Sequence, residues 1–135
     1  MRVKLQRVQN VAAQIITRKS SSQNLKDLHW LPVKERIDYR IAILVYKCLN
    51  NMGPLYLAEM LKPYTPKSSY ELRSLDENPL DIPDIRLEYG RRAFSYCGPK
   101  VWNFLPPHLT EDIPLGSFKR GLKRFCLRRL IIFDI

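Results

Sequence analysis

From Leu5 onward the apolar residues fall at Leu5, Val8, Val11, Ala12, Ile15 and Ile16. Spacings of three and four place them along one side of an α-helix, while Arg7, Gln14 and Arg18 share another side. The helix is predicted to stop near Thr17, because Lys19-Ser20-Ser21-Ser22-Gln23-Asn24 is polar and has no period. Nothing caps its N-terminus. An apolar face already in phase at the first residues is expected of a helix cut from a longer chain, and equally of a short open reading frame.

Residues 25–31 predict a short helical turn, stopped because Pro32 disfavours helical geometry at the residue before it. Pro32 is then expected to open the longest helix, where its missing N–H costs nothing. Val33, Ile37, Ile41, Leu44, Val45, Cys48 and Leu49 form its apolar face, and Arg36, Arg40 and Lys47 line one border. Asn50-Asn51-Met52-Gly53-Pro54 ends it, Asn and Gly supplying a left-handed cap.

A brief helix is predicted over 55–61. Pro63, Pro66, Pro79 and Pro83 then exclude any long element, leaving room for one or two short strands near 72–75 and 80–82. Further on, Pro99 is placed at the first turn of a short helix that Pro106 ends. The last helix is predicted to start at Ser117 as its cap. Phe118, Leu122, Phe125 and Cys126 form its inner face, with Lys119, Arg120, Lys123 and Arg124 over the outer one. The expected fold is mainly α: a single small helical domain over 1–135, with a helical part at 1–62, a Pro-rich, loop-rich linker at 63–92 and a second helical part at 93–135.

Composition agrees with a folded chain, since 45% apolar residues over 135 positions suffice for a core. No run approaches the ~20 apolar residues of a membrane span, and the start of the chain lacks the basic-then-apolar pattern of a secretory signal. The expectation is a soluble intracellular protein, nuclear or cytoplasmic, with no membrane partner. Cys48, Cys97 and Cys126 are odd in number and far apart, which fits a reducing compartment and not a disulfide framework. With only His29 and His108 beside them, no zinc-type spacing arises.

The net charge of +10 is unevenly spread. Residues 1–47 carry ten Lys/Arg against three acids, 48–116 seven against nine, and 117–135 six against one. Clustered cations at both ends suit a polyanion, because neutralising phosphates displaces condensed counterions. A solvated, solubilising surface would have the same composition.

Catalytic chemistry is not expected. A two-metal polymerase or nuclease needs clustered carboxylates, and the closest acids, Asp76-Glu77 and Glu111-Asp112, are adjacent residues in predicted loops. Phosphate-cradling glycine motifs are absent. His29, between Leu28 and Trp30, reads as a structural histidine, and Trp30 and Trp102 read as core residues before prolines more than as base-stacking platforms. No cofactor or metal is called for.

Several separated blocks nevertheless occur in an ordered set: Leu5-Gln6-Arg7-Val8-Gln9-Asn10, Leu28-His29-Trp30-Leu31-Pro32-Val33 with Arg36-Ile37, Tyr46-Lys47, Pro54-Leu55-Tyr56-Leu57, Tyr64-Thr65-Pro66, Leu72-Arg73-Ser74, Arg92-Ala93-Phe94-Ser95, Pro99-Lys100-Val101-Trp102-Asn103-Phe104-Leu105-Pro106 and Ser117-Phe118-Lys119. Together they resemble the extreme C-terminal region of reverse transcriptases from non-LTR (LINE-type) retrotransposons. The resemblance covers nearly the whole chain and implies a tail without the endonuclease and without the polymerase palm and its aspartate pair. It further implies a part in holding template RNA or target DNA during target-primed reverse transcription. Two positions depart from the pattern: Gly90-Arg91-Arg92 stands where Gly-Asp-Arg is usual, and Gly121 replaces a bulkier apolar residue at about 1 kcal/mol of helix propensity.

The leading expectation is a non-catalytic segment that binds RNA or DNA through Arg36, Arg40, Lys47, Lys119, Arg120, Lys123 and Arg124. The competing one is a structural or protein-interaction remnant whose apolar faces packed on the missing reverse transcriptase domain, and a relic without function is a third.

Overall fold

The computed structural model describes residues 2–20, 24–66 and 79–133. Seven α-helices occur among them: α1 (Arg2–Thr17), α2 (Asn24–Asp27), α3 (Val33–Leu49), α4 (Leu55–Ala58), α5 (Phe94–Asn103), α6 (Pro107–Thr110) and α7 (Leu115–Phe133), with one 3-10 turn at Gly90–Arg92. The fold is mainly α. The chain divides into two compact units, Met1–Tyr39 with Arg120–Ile135, and Arg40–Lys119, so the division falls inside α3 and α7.

In the first unit α1 ends at Thr17, where the periodicity stops. Its packing face is not the apolar one. Ala13 is buried and Gln6 and Gln9 are half-buried, whereas Leu5, Val8, Val11, Ile15 and Ile16 are exposed. Two amides hold the helix in place: Gln9 Nε2 donates to the Leu31 carbonyl at 2.8 Å, and the Val33 N–H donates to Gln6 Oε1 at 2.9 Å. Both tie α1 to the Leu31–Val33 stretch that leads into α3.

Three helix ends use a non-glycine residue in the left-handed region: Arg18 (φ 52°), His29 (φ 51°) and Asn51 (φ 57°). After α2 the Trp30 N–H reaches the Leu25 carbonyl and the His29 N–H the Lys26 carbonyl, a Schellman closure centred on His29. The same closure ends α3, in the second unit, through Met52 N–H to Lys47 and Asn51 N–H to Cys48. There the left-handed position belongs to Asn51 alone, and no described glycine has positive φ. Gly53 is instead required for space, because a Cβ would lie 2.8 Å from Cys48 Sγ and 3.1 Å from the Cys48 backbone nitrogen.

The second unit is built on an aromatic stack. Phe118 is fully buried, stacked on Tyr46 with ring centroids 4.5 Å apart and tilted against Trp102 at 6.0 Å. Val45, Leu61, Leu80, Leu105 and Leu109 complete this core, and the Tyr46 hydroxyl donates to the Ile113 carbonyl. Helix α5 reaches close because Gly98 has no side chain: a Cβ there would stand 3.2 Å from Val45 and 3.3 Å from Leu61.

Several sequence expectations are corrected. Pro99 lies inside α5, not in its first turn, since the helix begins at Phe94 after an extended Ala93. Helix α7 begins at Leu115, with the Phe118 N–H bonded to the Pro114 carbonyl, so Pro114 and not Ser117 occupies the capping position. Pro32 stands just before α3 and accepts from the Arg36 N–H. On α3 the buried positions are Ala42, Val45, Tyr46 and Cys48, while Leu49 is exposed. The strand expected at 80–82 is a single antiparallel bridge between Pro63 and Leu80, and the one at 72–75 lies outside the described residues. That bridge is reinforced by Asn103, whose side-chain amide bonds both the N–H (2.9 Å) and the carbonyl (2.8 Å) of Leu80.

Candidate nucleic-acid interface

The seven cations singled out by sequence sit on α3 and α7. By helical periodicity Arg36, Arg40 and Lys47 lie on one side of α3, and Lys119/Lys123 and Arg120/Arg124 form two rows on α7. In the first unit Arg36, Arg120, Lys123 and Arg124 are exposed; in the second Arg40 and Lys119 are exposed and Lys47 is half-buried. None of the seven pairs with a carboxylate among the described residues. Groups that contact a phosphate backbone must have their heads free of such pairs.

In the first unit the same two helices also bear on a buried thiol. Cys126 of α7 is buried, and the carboxyls of Glu35 and Asp38 on α3 lie close enough to act on it. Burial, chiefly, pushes its thiol up to about 11, the two carboxylates add to the rise and Arg129 opposes it.

Other cations are engaged. Arg92 pairs with Glu88 at 3.7 Å and lies over the Tyr89 ring, and Lys100 lies over Tyr96. Arg128, not singled out by sequence, is exposed one turn beyond Arg124 and continues the Arg120–Arg124 row. Its signal was the repeated spacing of four, hidden because Leu127 and Arg129 beside it break the amphipathic pattern.

A cleft of about 600 Å³ in the second unit is lined by Tyr46, Leu49, Asn50, Leu61, Pro63, Leu80, Trp102, Thr110, Glu111 and Asp112. Arg40, Lys47 and Lys119 of the same unit are not among its lining residues, and the two acids that are would repel a phosphate. Trp102 is buried on Phe118, as expected of a core residue, and Trp30 is half-buried. His29 is exposed, and its part in the fold is the backbone turn after α2.

No protein-family model, curated protein or solved structure matches the chain.

Proposed function

We propose that the chain is a non-catalytic nucleic-acid-binding segment derived from a non-LTR retrotransposon reverse transcriptase, gripping RNA or DNA by its phosphates. The observation that carries this reading is the set of seven Lys/Arg on α3 and α7, at or near the surface and unpaired among the described residues. An exposed cation already matched to a carboxylate must lose that partner to take a phosphate. An unmatched one gives up only water and releases a counterion from the nucleic acid. The ordered sequence blocks supply the retrotransposon part of the proposal.

The test is fluorescence anisotropy of the purified chain with labelled single-stranded DNA and a structured RNA over a range of salt. Affinity should fall steeply as salt rises, and should weaken when Arg36, Arg40 and Lys47 are replaced together by alanine. Salt-insensitive binding, or none at low salt, would remove the reading.

A further inference from the structure

Helix α1 faces its own unit with glutamines and a buried alanine and turns Leu5, Val8, Val11, Ile15 and Ile16 to solvent, with Ala12 half-buried. Ile15 is 72% exposed and Val8 68%. The face is a packing seam by spacing. Leu5, Val8, Ala12 and Ile15 alternate steps of three and four, the a and d positions of two heptads. In that register Arg2 takes an e position and Lys4 a g position at the head of the seam, Gln9, Val11 and Ile16 take the e and g positions along it, and Arg18 stands just beyond its end, so the cations flank its two ends. No Asp or Glu precedes Asp27.

We infer that this face of α1 docks an amphipathic helix of another protein, with an apolar seam flanked by Glu or Asp. The inference rests on α1 and is independent of the nucleic-acid reading, whose cations are on α3 and α7. Charge selects the partner. Two copies of α1 pairing antiparallel along their seams would set Lys4 against Arg18, and a parallel pair would bring two basic N-terminal ends together with no Asp or Glu to match them, so a second copy of this chain is disfavoured. A partner with acids at e and g meets Arg2, Lys4 and Arg18 with opposite charge. Side-chain type selects a helix over an anionic bilayer: the exposed apolar residues of α1 are Val, Leu and Ile, without the aromatic residues that anchor interfacial helices. A two-heptad pairing is marginal between free peptides because each helix must first form. Here α1 is already fixed by the Gln6 and Gln9 bonds, which removes that cost from one side.

The experiment uses the full chain and a fluorescein-labelled synthetic peptide of about four heptads, with Leu at every a and d and Glu at every e and g. A twin peptide carries Lys at e and g. The Glu peptide should bind about tenfold more tightly than the Lys peptide, the pairs with Arg2, Lys4 and Arg18 changing from attractive to repulsive. The double variant Val8→Glu/Ile15→Glu should lose the binding while keeping its helical circular dichroism, since both side chains are at the surface. Gln14→Glu, on another side of α1, should leave it unchanged. Equal affinity for the two peptides, no binding of the Glu peptide, or binding that survives Val8→Glu/Ile15→Glu would overturn the proposal. So would phosphatidylserine-vesicle binding, or self-association in sedimentation, that this variant abolishes in the absence of peptide binding; these outcomes would assign the face to a bilayer or to a second copy.

Discussion

His29 holds a left-handed backbone conformation that an L side chain adopts at a cost, and its imidazole is exposed. Replacement by glycine should therefore raise stability, by about 0.5–1 kcal/mol read from the urea midpoint. A loss instead would show that the imidazole makes a contribution beyond the turn. Gly53 has the opposite sign. A Cβ there meets backbone atoms of Cys48, which cannot swing aside as a side chain can, so Gly53→Ala should destabilise by about 1–3 kcal/mol despite its gain in chain stiffness.

The Cys126 thiol adds a pH dependence whose direction is fixed. Its pKa rises from 9.0 to about 11 on folding, principally through burial. The unfolded chain therefore loses this proton first, and the folded state is the one that keeps it. The contribution to stability is fully present below pH 9 and is lost as pH rises toward 11. Lysines and tyrosines titrate in the same range, so the quantity to measure is the stability difference between the native chain and Cys126→Ala. That difference should shrink between pH 9 and 11, and a flat difference would contradict the thiol's burial.

At the level of elements, the stretch around Leu80 is the most sharply testable. Among the described residues it is held by the Pro63 bridge and the two bonds from the Asn103 amide of α5. Asn103→Ala leaves the Leu80 N–H and carbonyl without that partner, at a cost of about 1–3 kcal/mol. Hydrogen exchange at the Leu80 amide should speed up by more than the global loss of stability accounts for. Asn103→Asp keeps the acceptor for the N–H and loses the donor, so it should protect that amide better than alanine does. This contact was not legible in the sequence, where an asparagine after a tryptophan gives no sign of reaching a residue 23 positions earlier. The long helices were legible because a 3.6 period over four or five turns has no competing explanation: the end of α1 at Thr17 and the span of α3 follow from it. What periodicity cannot tell is which side of a helix meets its own body. On α1 the apolar side was the natural choice, yet two glutamines hold it by bonds to the backbone at Leu31 and Val33. Pro99 misled for a related reason. A proline marks the first turn of a helix only when the preceding residues cannot be helical, and Phe94 to Gly98 are helical here.

For the whole molecule, the +10 charge and its arrangement make separable predictions. Net charge alone would steer any polyanion toward the surface, and removing any three exposed cations would then have the same effect. A phosphate-tracking surface is different, because only cations in contact release counterions. For single-stranded nucleic acid the slope of log affinity against log salt is about −0.7 per contact, so alanine at Arg36, Arg40 and Lys47 should reduce its magnitude by about 2. Alanine at Lys119, Arg120, Lys123 and Arg124 should reduce it by about 3. Removing Lys62, Arg86 and Lys100, which lie off α3 and α7, should lower affinity slightly and leave the slope in place. Equal slope changes in all three variants would reduce the interaction to bulk charge, and a change in one helix alone would confine the contact to that helix. Arg128 extends the argument: if the α7 row tracks phosphates, adding Arg128→Ala to the α7 variant should take away about a further 0.7 of slope, whereas a row that only solubilises the helix would give no increment.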